Sequence, residues 1–184
     1  RIMGVDVARF GADRSVIMRR VGPGVLAPIV YEKIDNMDLA SRVAFEARRF
    51  NPDAIFIDAG RGEGVIDRLR HLGLDVAEVN FGGRPLNPRY QNRMEEMWDG
   101  MRAGLEDWLA LPGVHGLKTE LSVPDYRFDN QNRLGLESKD EIKKRGLRSP
   151  DLADALALTF AAPVFPRGRV LTPVSAARDH DPYW

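Results

Sequence analysis

Three apolar segments typical of β-strands open the chain. They cover residues 1–8, 14–21 and 25–33, and short turns rich in glycine separate them. Links this short join neighbouring strands in an antiparallel arrangement. The pattern therefore predicts a three-stranded antiparallel meander.

Helical and extended segments alternate after this meander. Apolar residues recur at helical spacing over residues 38–50 and 65–72, and short apolar segments at 53–58 and 75–79 are predicted strands. The glycine-rich residues 59–64 are predicted to form a turn. Because a strand, a helix and a strand at this spacing imply a right-handed parallel crossover, we expect a mixed sheet.

The C-terminal half combines helices with a β-hairpin. The predicted bounds are 89–111 for a long helix, 125–128 and 133–136 for the hairpin, 138–146 for a short helix and 149–162 for the last helix. Ser138 and Glu141 have the spacing of a capping box, and Ser149 and Pro150 suit the N-cap and the first position of a helix. Residues 1–165 are thus predicted to form one domain, and residues 166–184 an extended or disordered tail.

Composition narrows the possible chemistry. The 184 residues contain no cysteine, and the three histidines do not have zinc-site spacing, so disulfides and thiolate zinc sites are excluded and a metal would need oxygen ligands. No apolar run approaches the roughly 20 residues that a membrane span requires. The formal net charge is zero, so contact with nucleic acid would depend on a local basic surface. The chain begins at Arg1 beside an apolar segment with no signal peptide, which suggests a domain excised from a longer polypeptide.

Three aspartates lie in segments that are otherwise apolar. Asp6 is the only polar side chain in residues 2–8, where alternation places it on the same face as Ile2 and Gly4. Asp58 ends the strand at 53–58, and Asp154 lies in a helix that is apolar on every face.

Burying an ionised carboxylate costs several kcal/mol unless it is paired or bound to a cation. A structural ion pair is the alternative for each of these acids taken singly. No lysine or arginine lies within the three apolar segments, however, so a shared divalent cation is the better hypothesis. Oxygen-only ligation favours Mg²⁺ or Mn²⁺.

Three other residues are candidates for the same site. Asp151 lies on the same helical face as Asp154, and it either shares the metal or interacts with the helix dipole. Asp13 is either a further ligand or an ordinary turn aspartate. Lys139 stands in the first turn of a helix, where a cation interacts unfavourably with the helix dipole. A phosphate or the acid cluster would explain its presence there. The alternative is an exposed lysine with no role in the site.

Four segments in order carry a family resemblance. They are G-V-D-V-A-R-F-G-A-D-R-S-V-I at residues 4–17, I-F-I-D-A-G-R-G-E-G-V at 55–65, E-S-K-D-E-I-K-K-R-G at 137–146 and S-P-D-L-A-D-A-L-A-L-T-F-A at 149–161. With these motifs the chain resembles the C-terminal nuclease domain of tailed-phage terminase large subunits. The resemblance implies a ribonuclease H-like α/β fold whose mixed five-stranded sheet, three antiparallel strands followed by parallel strands, is flanked by helices.

The resemblance also implies a function. It predicts a DNA endonuclease that cuts concatemeric double-stranded viral DNA with two Mg²⁺ or Mn²⁺ ions. Asp6, Asp58 and Asp154 would be the catalytic ligands, with Asp151 and Asp13 as candidate further ligands. The residues expected to contact DNA phosphates are Lys139, Lys143 and Arg148.

The expected partners and location follow from the same resemblance. They are a packaging ATPase domain in the same polypeptide, the small terminase subunit and the portal protein, in the host-cell cytoplasm during virus assembly. This sequence contains no G-x-x-x-x-G-K-[ST] motif, so it is not expected to power packaging itself.

Other functions are compatible with parts of the sequence. Another ribonuclease H-like nuclease or a resolvase would use the same acids. An actin-like or sugar-kinase-like ATP-binding domain also opens with G-V-D, and G-R-G-E-G at residues 60–64 would then cradle a phosphate. A docking module that has lost its chemistry is the non-enzymatic alternative.

Overall fold

The computed structural model of the protein describes residues 1–8 and 14–166, in which helices flank a central β-sheet on both faces. The strands are β1 Ile2–Asp6, β2 Arg14–Val21, β3 Gly24–Val25, β4 Ile29–Glu32, β5 Ala54–Asp58, β6 Ala77–Val79, β7 Tyr126–Phe128 and β8 Leu134–Leu136. The helices are α1 Asn36–Phe50, α2 Ala59–His71, α3 Arg93–Asp107, α4 His115–Leu121, α5 Lys139–Lys144 and α6 Asp151–Leu158.

The main sheet is mixed, as predicted. Its order is β3-β2-β1-β5-β6, and β4 also pairs with β2. Strand β1 runs antiparallel to β2 and parallel to β5, and β5 runs parallel to β6. The expected antiparallel meander followed by a parallel crossover is therefore confirmed, and β7 and β8 form the expected separate hairpin.

The predicted third strand, residues 25–33, is divided into β3 and β4. Val25 pairs with Arg20 and Ile29 pairs with Ile17, so three residues of this segment face two residues of β2. Pro28 lies in the interruption and has no N–H to donate to the ladder. The sheet consequently has six strands rather than five.

The sheet separates two apolar cores. One lies between the sheet and helices α3, α4 and α6, and the other lies between the sheet and helices α1 and α2. Ile2, Gly4 and Asp6 face the α6 side, in agreement with the predicted alternation. A Cβ on Gly4 would stand 2.2 Å from the backbone oxygen of Ala155, so only glycine allows α6 to lie this close to β1.

Helix α2 corrects the turn predicted for residues 59–64. The helix starts immediately after Asp58, whose carboxylate accepts a hydrogen bond from the backbone N–H of Gly60. A Cβ on Gly62 would approach Ile57 and Val7 to 3.0 and 3.3 Å. Gly62 thus permits close helix packing on the sheet, and residues 60–64 are helical rather than the turn that was predicted or the loop that the ATP-binding alternative would use.

The remaining helices differ from prediction mainly at their ends. Helix α3 covers 93–107 instead of 89–111, α4 was not predicted, and α5 begins with the predicted capping box of Ser138 and Glu141. Helix α6 covers 151–158, and Ser149 is not its N-cap. None of the helices in the described residues is both long and apolar enough to cross a membrane.

Candidate active site

Two of the predicted acids end adjacent parallel strands. Val5 of β1 pairs with Ile57 of β5, so the next residues, Asp6 and Asp58, lie side by side at the carboxyl ends of these strands. Both side chains are buried, with exposed fractions of 2 % for Asp6 and 8 % for Asp58. In open α/β sheets this edge is where ligands bind.

Helix α6 adds the third acid from the facing layer. Asp154 is completely buried, and its Oδ1 accepts a hydrogen bond of 2.9 Å from the indole Nε1 of Trp98 in α3. Its Oδ2 lies 2.7 Å from Nζ of Lys139. Asp154 can approach the sheet because Gly4 lets α6 pack directly on β1.

Lys139 is held by the acids, which is one of the alternatives that its position in the first turn of a helix left open. Its Nζ also lies 3.9 Å from Oδ1 of Asp6, so one ammonium group stands between two buried carboxylates. The absence of a lysine or arginine from the apolar segments did not mean that the acids lack a partner, because α5 supplies one across space. The acid cluster thus explains a cation in the first turn of α5.

The cluster contains more carboxyl groups than the single ammonium of Lys139 can balance. Burial raises the pKa of Asp6 well above its usual value, and Asp154, Asp151 and Asp58 raise it further, whereas Lys139 opposes the shift. Burial likewise raises the pKa of Asp58, against the Gly60 hydrogen bond and Lys139. Burial alone would lower the pKa of Lys139, but Asp154 and Asp6 outweigh it and the net shift is upward.

Asp151 is tied to two residues that sequence reasoning missed. Its Oδ2 accepts hydrogen bonds from the backbone N (3.1 Å) and Nε (3.4 Å) of Arg14, and the Nη2 of Arg14 pairs with Glu120. Glu120 lies in the unpredicted helix α4, and Arg14 opens a strand as an ordinary charged residue. Neither residue carries a sequence signal that points to the acid cluster.

The structure unites some of the candidates and not others. Asp6 interacts electrostatically with Asp58, Asp151, Asp154 and Lys139. Lys143, in α5, and Arg148, between α5 and α6, lie on the exposed surface. Asp13 falls outside the described residues.

The donor set suits a hard divalent cation. It consists of carboxylate oxygens, and within the described residues Oδ1 of Asp6 is buried without a hydrogen-bond donor. Across residues 1–8 and 14–166, however, no three His, Cys, Asp or Glu side chains are already arranged to hold a metal ion. The ammonium of Lys139 compensates the acids instead. The oxygen ligands of the cluster therefore fit Mg²⁺ or Mn²⁺, while in this structure the carboxylates of Asp6 and Asp154 face the ammonium of Lys139.

Comparison by sequence and by structure gives different results. No protein-family model and no curated protein sequence matches the chain. Among solved structures, the chain is similar to the nuclease domain of the large terminase subunit gp2 of bacterial virus Sf6, with a TM-score of 0.77 and 20 % identity over 89 % of this chain and 88 % of that one. A mutant of the Sf6 domain with manganese gives a TM-score of 0.75 at 18 % identity, with 88 % of each chain covered.

The large terminase nuclease from thermophilic phage G20c with bound magnesium is also similar. Its TM-score is 0.66 at 14 % identity, over 87 % of this chain and 79 % of that one. At these identities the likeness is one of fold, and it confirms the predicted ribonuclease H-like class with its mixed sheet flanked by helices.

Proposed function

We propose that the chain is a divalent-metal-dependent nuclease domain that hydrolyses phosphodiester bonds in double-stranded DNA. The observation that carries this proposal is the position of Asp6 and Asp58 at the ends of adjacent strands with Asp154 of α6 beside Asp6, where Oδ1 of Asp6 lacks a donor among the described residues. Support comes from solved nucleases of the same fold, among them domains with manganese and bound magnesium.

In this proposal Asp6, Asp58 and Asp154 hold the cations, with Asp151 and Asp13 as further candidates. Two bound Mg²⁺ or Mn²⁺ ions would supply an activated water and stabilise the charge on the departing oxygen. Asp6 and Asp58 have raised pKa values because they are buried, so a cation competes with a proton for these carboxylates. Lys139 would compensate their charge when no divalent cation is bound.

Contacts to DNA would come from cations around the cluster. Lys139 and Lys143 of α5 and Arg148 before α6 are the candidates for binding backbone phosphates. Because the chain has no net charge, this local group rather than the overall charge would attract DNA. Binding should therefore weaken as salt concentration rises.

The biological setting proposed is viral genome packaging. The domain would cut concatemeric phage DNA in the host-cell cytoplasm during virus assembly. It would act beside a packaging ATPase domain of the same polypeptide, the small terminase subunit and the portal protein. The solved relatives by fold, which are nuclease domains of phage large terminase subunits, support this setting.

The test is nicking of supercoiled plasmid by the purified chain. Wild type is expected to cut with Mn²⁺ or Mg²⁺ and to stop with EDTA. Asp58→Ala should lose at least about 100-fold in rate, because a missing ligand weakens metal binding and charge stabilisation together. Asp67→Ala changes an exposed aspartate of the neighbouring helix and should cut like wild type. Circular dichroism would verify that both variants fold.

Several results would change the proposal. Cutting by Asp58→Ala at the wild-type rate would show that the cluster is not the metal site. Cleavage restricted to four-way junctions would favour a resolvase. A wild type that never nicks, across pH and Mn²⁺ concentration, would favour the docking module, and tight ATP binding without nicking would favour the ATP-binding alternative.

A further inference from the structure

The first turn of α6 receives no cap from its own sequence. Pro150 occupies the N-cap position, and no side chain of the local segment accepts a hydrogen bond from the first turn. Helix N-termini leave backbone N–H groups that need acceptors. Here Oε2 of Glu120 accepts from the backbone N of Leu152 at 2.6 Å, although Glu120 lies 32 residues earlier, in α4.

The carboxylate of Glu120 is itself held by Arg14. Glu120 is 7 % exposed, and its Oε1 pairs with Nη2 of Arg14 at the start of β2. The same guanidinium donates through Nε to Asp151 at the start of α6, and the backbone N–H of Arg14 donates to the same oxygen. Charge-assisted hydrogen bonds to a guanidinium have a defined direction, so they fix geometry as well as charge.

These contacts join β2, α4 and α6. We call the three residues that make them, Arg14, Glu120 and Asp151, the clamp. The clamp holds α6 one helical turn before Asp154. The second fixed point of the helix is its backbone contact with Gly4 of β1. Together the two points determine how far α6 lies along the sheet, and therefore where the carboxylate of Asp154 is placed relative to Asp6.

We propose that Arg14 and Glu120 are positioning residues for the metal site: they act through α6 and do not touch the cation. This inference rests on the proposed function. In this inference Oδ2 of Asp151 belongs to the clamp, and Asp6, Asp58 and Asp154 bind the cation. A residue that orients a metal ligand typically contributes 10- to 100-fold to metal affinity or activity.

The protein offers a matched control on the other face of the sheet. Glu46 of α1 is 6 % exposed and pairs with Arg19, another arginine of β2, at 3.1 Å. It resembles Glu120 in burial, charge and partner but packs in the core formed with α1 and α2. Glu46→Ala should therefore reduce stability without changing the affinity for Mn²⁺.

The experiment measures Mn²⁺ binding by calorimetry in the absence of DNA, together with the melting temperature and the Mn²⁺ concentration for half-maximal nicking. Glu120→Ala and Arg14→Ala should bind Mn²⁺ about tenfold or more weakly than wild type. Glu46→Ala should bind like wild type. Glu120→Gln keeps an amide oxygen for the N–H of Leu152 but loses the charge that faces Arg14, so an intermediate affinity is expected.

The outcomes separate the two proposals. If wild type binds Mn²⁺ and nicks DNA, and both Glu120 variants bind Mn²⁺ with wild-type affinity, the positioning role is wrong and the proposed function stands. If wild type neither binds Mn²⁺ nor nicks, the proposed function fails and the positioning role fails with it. If Glu120→Ala does not fold, Glu120→Gln and Arg14→Lys decide the question by the same affinity comparison.

Discussion

Replacing Lys139 by methionine removes the cation from the acid cluster while keeping most of the aliphatic stem. Breaking a buried ion pair from one side costs about 3–5 kcal/mol, because the other charge is left without compensation. The Lys139 side chain is 35 % exposed, so solvent screens part of this interaction. Asp6 can also take up a proton. We therefore expect a loss of about 2 kcal/mol in metal-free buffer.

That loss converts to a measurable change in melting temperature. For a domain of this size, 1 kcal/mol corresponds to about 2–4 °C, so the Lys139→Met variant should melt about 4–8 °C below wild type near pH 7.5 in EDTA. Differential scanning calorimetry gives this value directly. Lys144→Met, an exposed change in the same helix, should melt within about 1 °C of wild type.

The difference in melting temperature between wild type and Lys139→Met should become smaller as the pH falls. The pKa of Asp6 is raised in the folded state by burial and by Asp154, so folding favours its protonated form. An acid of this kind gains stability as pH falls through its folded pKa towards the unfolded value of about 3.9. Without Lys139 the pKa of Asp6 should rise further. The gap between variant and wild type should therefore narrow on acidification from pH 8.

Two results would refute this reasoning. A Lys139→Met variant that melts with wild type at pH 7.5 would mean that the ammonium does not compensate the acids. A gap that widens on acidification would mean that the lost contact is not electrostatic. Millimolar Mn²⁺ should raise the melting temperature of the variant more than that of wild type if the carboxylates bind the cation.

Three smaller changes test other parts of the site. Trp98→Phe leaves Oδ1 of Asp154 without its indole donor and should cost about 1–3 kcal/mol in urea unfolding. Gly4→Ala places a Cβ 2.2 Å from the backbone oxygen of Ala155 and should cost about 3 kcal/mol or more, or prevent soluble expression. Ser149→Ala removes a buried hydroxyl that has no partner among the described residues, and its melting temperature should equal or exceed that of wild type.

Each of these predictions has a matched control or a contrary outcome. Trp108→Phe changes a half-exposed indole and should cost less than Trp98→Phe. Gly113→Ala adds a Cβ with no atom within 4 Å and should be nearly neutral. A loss of about 1 kcal/mol in Ser149→Ala would indicate that Ser149 caps α6 after all, as its sequence position suggests.

The part of the site that lies on strands was predictable because it follows from local pattern. Asp6 and Asp58 interrupt short apolar segments, and strand alternation together with the parallel crossover places them on one face and at one edge. The fully buried position of Asp154 also follows from an apolar helix. These arguments need only periodicity and the cost of burying charge.

The charge partners were not predictable in the same way. Arg14 and Glu120 reach the start of α6 from elements distant in sequence, and neither has a local pattern that points to this contact. Lys139 was a candidate because of its position in the first turn of a helix, but the sequence did not show which acids it pairs with. The glycines in residues 59–64 predict a turn because glycine disfavours helices, whereas close packing of Gly62 on the sheet outweighs that preference. Tertiary contacts thus decided the features that local reasoning missed.

The division of the interior into two cores has a consequence for engineering. All the described candidate acids point towards the α6 side, whereas the core between the sheet and helices α1 and α2 contains none of them. Stabilising substitutions often reduce activity when they stiffen a reactive site. Substitutions at apolar positions of that core, such as Val43 and Leu69, change packing on the opposite face of the sheet, so their effects on stability can be measured separately from changes at the carboxylates.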